Sequence, residues 1–249
     1  MGNFNHTGHP INVMNLEKLL AYLENMGDDY DPVLERITIV ILQALLLDAQ
    51  EKMQSVKDAF DAFDRATNAR EIEYADIKKL ATRLVNALIA CGASKQTIAD
   101  AKTINRKIQG GRAGEKIAPV DPTEEPELTA SEKIAKNISV SQLNIDFVLD
   151  NFIKLVTLLS NEPKYIPNEV PLQVVTMQTK VVNLKKTNSL VIKVTPPYKK
   201  AMADRDIVLY TEDTGLVDTS KVVKSYCLSV LESSSDMYKN IKHLAFKNF

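Results

Sequence analysis

The stretch from Asp31 to Glu73, DPVLERITIVILQALLLDAQEKMQSVKDAFDAFDRATNAREIE, decides the fold class. Ile39, Leu42, Leu46, Ala49, Met53, Val56, Phe60 and Phe63 recur along it at heptad spacing. No Gly or Pro interrupts it after Pro32, so the spacing predicts one long helix. Asp31 offers a side-chain oxygen as N-cap, Pro32 suits the first helical position, and Glu35 adds a negative charge to the first turn. A shift of 135 places then sets Tyr30 on Tyr165, Pro32 on Pro167, Val40 on Val175, Gln43 on Gln178, Val56 on Val191, Ala66 on Ala201, Arg70 on Arg205 and Ile72 on Ile207, without a gap. This register predicts an all-α protein of two tandem antiparallel helical bundles related by internal duplication, each with one long central helix.

Composition agrees with that class. The 249 residues are 45% hydrophobic and 25% charged, enough for two small cores, and 8 glycines with no tryptophan suit helices better than an all-β chain. A formal net charge of −1 supplies no global field for nucleic acid or an anionic membrane. The start, Met1-Gly2-Asn3-Phe4-Asn5-His6, lacks a basic segment followed by an apolar core, and no apolar run is long enough to span a bilayer. Cys91 and Cys227 occupy non-equivalent places in the two repeats, which argues against a duplicated disulfide or metal site. A reduced cytoplasmic setting is expected.

Residues 1–10 read as a flexible N-terminal arm; His6 and His9 there have no third ligand, so no metal site is expected. Repeat 1 is assigned to residues 11–111. It opens with a helix near Asn12 to Met26 carrying Val13, Leu16, Leu19, Leu20 and Leu23 on one face. Residues 37–47 of the long helix are apolar nearly all round, so more than one face there is expected to be covered. The membrane-active alternative, a latent pore-forming segment, is disfavoured because eleven residues span only about half of a ~30 Å hydrocarbon core as a helix. The matching segment of the second copy holds Gln173, Thr176, Gln178, Thr179 and Lys180.

Beyond Phe63, Thr67 and Arg70 take the next core-facing places before Tyr74, Ile77, Ala81, Leu84 and Leu88 resume the apolar pattern. Arg70-Glu71-Ile72 recurs as Arg205-Asp206-Ile207, so Arg70 and Arg205 are candidates for structural ion pairing within their own bundle or for contact with an anion. Repeat 1 closes with a helix from Asp76 to Ala90, a turn at Cys91-Gly92-Ala93, and a Ser94-capped helix from Lys95 to Ile108. Arg106, Lys107, Arg112 and Lys116 form a possible basic patch, but the run follows a helix and lacks the Gly-x4-Gly-Lys-Ser/Thr pattern of a phosphate loop.

Residues 112–130, with Pro119, Pro122, Pro126, Glu124 and Glu125, read as a Pro/Glu-rich linker, and repeat 2 covers 131–249. Its long helix restarts at Pro167 and is expected to break or kink at Pro196-Pro197. An insertion follows at residues 211–217, with Asp218 expected to cap a helix from Thr219 to Leu231 and a last helix at Asp236 to Leu244. The insertion has neither the ligand count nor the spacing of an EF-hand loop.

At Ile104-Asn105-Arg106-Lys107-Ile108-Gln109-Gly110-Gly111-Arg112-Ala113 and at Asp213-Thr214-Gly215-Leu216-Val217-Asp218 the chain resembles an uncharacterised bacterial family of duplicated helical proteins. The resemblance covers both halves, and it implies a soluble bacterial protein without bringing an activity or a ligand.

Catalytic signatures are missing where a helical enzyme would carry them. There is no Glu-x-x-His, which ferritin-like di-metal sites require, and no His-Glu-x-x-His; the only histidines are His6, His9 and His243. No catalytic residue, cofactor or small-molecule substrate is therefore expected. The leading expectation is a non-enzymatic interaction or scaffold protein whose two bundles bind a protein partner or a second copy. A weak nucleic-acid binder acting through residues 106–116 stands beside the membrane-active protein as an alternative.

Overall fold

In the computed structural model the described residues are 8–110 and 130–249, with side chains described over 8–110 and 145–249. They form helices, short 3-10 turns and loops, with no strand among them. In chain order these are α1 (Gly8–Met26), α2 (Ile39–Tyr74), α3 (Ile77–Ala90), α4 (Lys95–Ile108), α5 (Ala130–Asn161), α6 (Val174–Tyr210), α7 (Leu216–Val230) and α8 (Asp236–His243). A 3-10 turn precedes each long helix, Glu35–Ile37 before α2 and Val170–Leu172 before α6.

The seven-residue period sets the buried line of both long helices. On α2 it runs through Leu42, Ala49, Val56, Phe63 and Arg70, and on α6 through Met177, Leu184, Val191, Tyr198 and Arg205; all are buried except Phe63, which is half-buried. The shorter helices repeat a pattern too. Leu16, Leu19, Leu20 and Leu23 of α1 are buried, as are Phe152, Leu155, Val156 and Leu159 of α5. Ile77, Leu80, Ala81, Leu84 and Leu88 of α3 match the buried Leu216, Thr219, Ser220, Val223 and Cys227 of α7 in spacing.

The chain packs as two compact units, and their boundaries are not those of the sequence halves. Unit 1 comprises residues 1–65 and 192–249, and unit 2 residues 66–191. In unit 1, α1 and the first part of α2 share a core with the end of α6, α7 and α8, through residues such as Leu19, Leu23, Leu42, Leu209, Val217, Val223 and Ile241. In unit 2, α3 and α4 share a core with α5 and the first part of α6, through Leu84, Leu88, Ile108, Phe152, Leu159 and Leu184. The expected bundles at 11–111 and 131–249 differ from this grouping, because α2 and α6 each run on from one core into the other. Residues 112–129 of the expected linker lie outside the described residues, as does residue 111 before it, and Ala130 already belongs to α5.

Several local expectations need correction. The long helix starts at Ile39, not at Asp31 and Pro32. The Tyr30 hydroxyl donates to the Ile37 carbonyl at 2.5 Å, so the chain before Thr38 is held in a 3-10 turn instead of the first turn of the helix. The second half of the chain has the same device, with Tyr165 donating to Leu172 at 2.8 Å and α6 starting at Val174, not at Pro167. The helix α6 passes unbroken through Pro196 and Pro197. Both prolines are exposed, so the carbonyls they leave without an N–H partner face water, while Tyr198 on the buried side stacks on Phe63 at 5.4 Å and meets Phe60 at 5.6 Å. Residues 8–10 of the expected arm belong to α1, whereas 1–7 lie outside the described residues.

The α7 helix starts at Leu216 with Gly215 in the capping place, so Asp218 sits in the first turn. A Cβ at Gly215 would fall 2.7 Å from the backbone of Thr211, which explains the glycine. Elsewhere the local chemistry is as the residues imply. Ser94 Oγ accepts from the Thr97 N–H at 3.1 Å to cap α4, and Gly92 turns the chain after α3 at a φ of +69°.

Candidate functional site

The two repeated arginines are the most buried charged groups described. Arg70 is 6% exposed and Arg205 5%. Heptad spacing forces both inward, since each occupies the place that follows Phe63 or Tyr198 by seven residues.

In unit 2, Arg70 Nη1 donates to Asn188 Oδ1 at 3.5 Å, and Asn188 Nδ2 donates to Asp146 Oδ1 at 2.6 Å. A neutral amide therefore stands between the cation and the carboxylate. Arg70 Nε has no hydrogen-bond partner, nor has Thr67 Oγ1 one turn earlier. Burial holds the Arg70 guanidinium below its usual range, opposed by the charges of Tyr74, Glu71 and Asp146. The Tyr74 hydroxyl donates to the Leu184 carbonyl at 3.4 Å; burial, with Asp146 assisting and Arg70 opposing, pushes its phenol up to about 12. Nearby on the sequence, Lys180 Nζ lies 3.1 Å from both Glu73 Oε1 and Asp76 Oδ1. The expected partner of Arg70 within residues 11–111 is corrected by this geometry, because Asn188 and Asp146 come from α6 and α5.

In unit 1, Arg205 donates from Nε at 2.9 Å and from Nη2 at 2.7 Å to Asp206 Oδ1, a half-exposed neighbour. Met53 stands 135 places before Asn188, and Pro10 136 places before Asp146, the offset that also sets Leu16 on Phe152. With amide and carboxylate replaced by apolar groups, the guanidinium takes the adjacent acid instead. A groove of about 360 Å³ opens between α1 and α2, lined by Pro10, Val13, Met14 and Met53 among others. Two further grooves in unit 2 flank Ile153 and Thr157 of α5, of about 300 and 520 Å³. None of these three brings two carboxylates together, and each mixes apolar with polar lining.

The remaining candidates are dispersed. Arg106 and Lys107 are exposed in the last turn of α4, where cations favour the helix dipole, and Arg112 and Lys116 lie outside the described residues. His6 lies outside them too, while His9 is buried on α1 with Nδ1 2.5 Å from the Tyr210 hydroxyl. Both cysteines are free thiols. Among the described residues no group of three or more His, Cys, Asp or Glu is placed to hold a metal ion, and no helix is long and apolar enough to cross a membrane.

The surface departs most from expectation at the start of the long helices. The apolar stretch 37–47 is covered on one face only: Val40 is 72% exposed and Leu47 62%, with Ile41 at 41%. The same numbers stand 135 places further on, Val175 at 72% and Val182 at 62%. Val33 and Leu34 extend the exposed apolar surface of unit 1, and Ile166 and Val170 that of unit 2.

Sequence reasoning found the arginines and missed their surroundings. Asn188 and Asp146 have no counterpart of like chemistry in the first copy, so the repeat comparison passes over them. Asn15 and Asn151 carried a usable signal, since each interrupts the apolar face of its helix one place before Leu16 or Phe152, and both are buried. Comparison of the chain with protein-family models, with curated proteins and with solved structures finds no match.

Proposed function

We propose that this chain is a non-enzymatic helical interaction or scaffold protein, produced by internal duplication, whose two units bind partner proteins through exposed apolar stripes at the start of the long helices. The observation that carries the reading is the equal exposure of Val40 and Val175, and of Leu47 and Val182, 135 places apart. Single exposed apolar side chains are ordinary, but apolar residues exposed to the same degree at matching places in both halves of the chain are what a repeated binding face requires. Two such faces on one chain raise the effective concentration of the second once the first is engaged, so each can be weak alone.

The test is quantitative capture from the native cell with the parent, with Val40→Glu/Leu47→Glu, with Val175→Glu/Val182→Glu, and with all four changes. The positions are exposed, so helical content should stay at the parental level. Proteins retained by the parent should fall in each paired variant and vanish from the fourfold one. Equal retention by all four forms would overturn the reading.

A further inference from the structure

A second recognition surface lies on α1, apart from the apolar stripes. After α8 the chain leaves helical geometry at Leu244 and runs extended across α1 to Phe249. The Asn12 side chain takes both backbone groups of Lys247, donating from Nδ2 to its carbonyl at 2.7 Å and accepting its N–H on Oδ1 at 3.1 Å. Asn15 Nδ2 donates to the Ala245 carbonyl at 2.8 Å, and Lys224 Nζ donates to the carbonyls of Lys242 and Leu244. The Lys224 bonds hold the end of α8, whereas those of Asn12 and Asn15 go to main chain beyond it, so the two asparagines read an extended backbone without reading its side chains, as a neighbouring strand would.

Side-chain grip comes from Leu244, packed against the core of unit 1, and from two aromatics three residues apart. Phe246 is buried in the core of unit 1. The Phe249 ring lies over Gly8, where an added Cβ would sit 2.1 Å from it, and edge-on to His9 at 5.8 Å between ring centroids. Lys247 and Asn248 between them are exposed.

The second half of the chain shows that one polar group of the groove, Asn15, has a second way to be satisfied. Asn151 holds on α5 the place of Asn15 on α1, and its Nδ2 donates at 2.8 Å to the Phe147 carbonyl of its own helix. Asn15 has the equivalent carbonyl at Ile11, so losing the segment 244–249 leaves it an acceptor within α1. The segment itself gives up six residues of backbone freedom for two apolar side chains on the core, Leu244 and Phe246, and a few hydrogen bonds, while Ala245, Lys247, Asn248 and Phe249 stay exposed.

We propose that this face of α1 is a docking groove for an extended segment of a partner protein with aromatic residues at positions i and i+3, and that residues 244–249 occupy it as a resident substitute for that segment. The proposal does not rest on the apolar stripes and would survive their failure.

The probe is the fluorescently labelled, amidated peptide Leu-Ala-Phe-Lys-Asn-Phe, followed by anisotropy against the full chain. Phe246→Ser/Phe249→Ser in the protein frees the groove and should bind the peptide at least about tenfold more tightly than the parent, whose own segment competes. Adding Asn12→Ala to that variant should weaken binding by about tenfold through loss of the paired backbone bonds. Scrambled peptide should not bind. Absence of saturable binding to a Phe246→Ser/Phe249→Ser protein with parental helical content would overturn the proposal. If that variant does not fold, hydrogen exchange of the parent decides: the Lys247 amide should exchange about a hundredfold faster than the α1 amides around Leu19. Equal protection would mean that the segment opens only with global unfolding, and the groove would not be a docking site.

Discussion

Replacing Arg70 by methionine separates a buried cation that holds the fold from one that the fold merely tolerates. A buried ion pair that loses one partner costs ~3–5 kcal/mol, because the other charge is stranded. Here no charge is stranded. Asn188 is neutral and keeps its 2.6 Å bond to Asp146, which is exposed, while the bond lost from Arg70 is the 3.5 Å contact. Methionine also removes the unpartnered Nε and the burial that depresses the guanidinium. Swapping a poorly satisfied buried charge for an apolar side chain of similar length is neutral to stabilising, here about 0–2 kcal/mol. Arg205→Met should differ in sign: it deletes the two bonds to Asp206, and since that acid is half-exposed and rehydrates, the cost should be about 1 kcal/mol. Urea unfolding at neutral pH, with the slope checked for constancy, gives both numbers. A loss of 3 kcal/mol or more in Arg70→Met would refute the reasoning and restore a structural ion pair at Arg70.

Two further outcomes follow from buried hydroxyl and thiol groups. Tyr30→Phe and Tyr165→Phe each leave a buried carbonyl, Ile37 or Leu172, without its donor, and each should lower stability by about 1–3 kcal/mol in urea unfolding; a neutral result in either would mean that water replaces the hydroxyl. Burial pushes the Cys227 thiol up to about 11, so between roughly pH 9 and 11 the unfolded chain has lost a proton that the folded one keeps. The unfolded state then binds fewer protons, and stability falls as pH rises through that window, by at most about 3 kcal/mol from this group. Cys227→Val should flatten the fall between about pH 8 and 9, where the unfolded thiol ionises and the tyrosines of the unfolded chain, ordinarily near 10, are still largely protonated; an unchanged slope would contradict the assignment.

Periodicity was the readable part of this chain. The seven-residue line through Leu42, Ala49, Val56 and Phe63 predicts the buried seam of α2, and continuing it one step predicts that Arg70 turns inward. Turn and cap chemistry at Cys91-Gly92 and Ser94 was equally legible, because those residues act on their immediate neighbours. Partner choice was not. A heptad stripe states that a face is covered, but not by which helix, so the packing of α3 and α4 against α5 and α6 could not be read from spacing. The start of α2 at Ile39 depends on a tyrosine seven residues from the carbonyl it bonds, and the exposure of Val40 and Leu47 depends on no helix covering them among the described residues, neither of which is local information. Asn12 and Asn15 find their partners about 230 residues away, beyond any window of sequence pattern.

Each compact unit draws helices from both halves of the sequence, and separating the halves tests this most directly. Residues 1–110 and 111–249 would be produced as two polypeptides and their helical signal followed through urea, singly and as an equimolar mixture. Residues 1–110 alone hold α3 and α4 without α5, and α1 without α7, so neither core is complete in either piece. The predicted result is no cooperative transition for either polypeptide alone, and recovery of parental helicity with a cooperative transition on mixing. Two polypeptides that each unfold cooperatively, with signals summing to that of the parent, would contradict it and return the chain to tandem bundles.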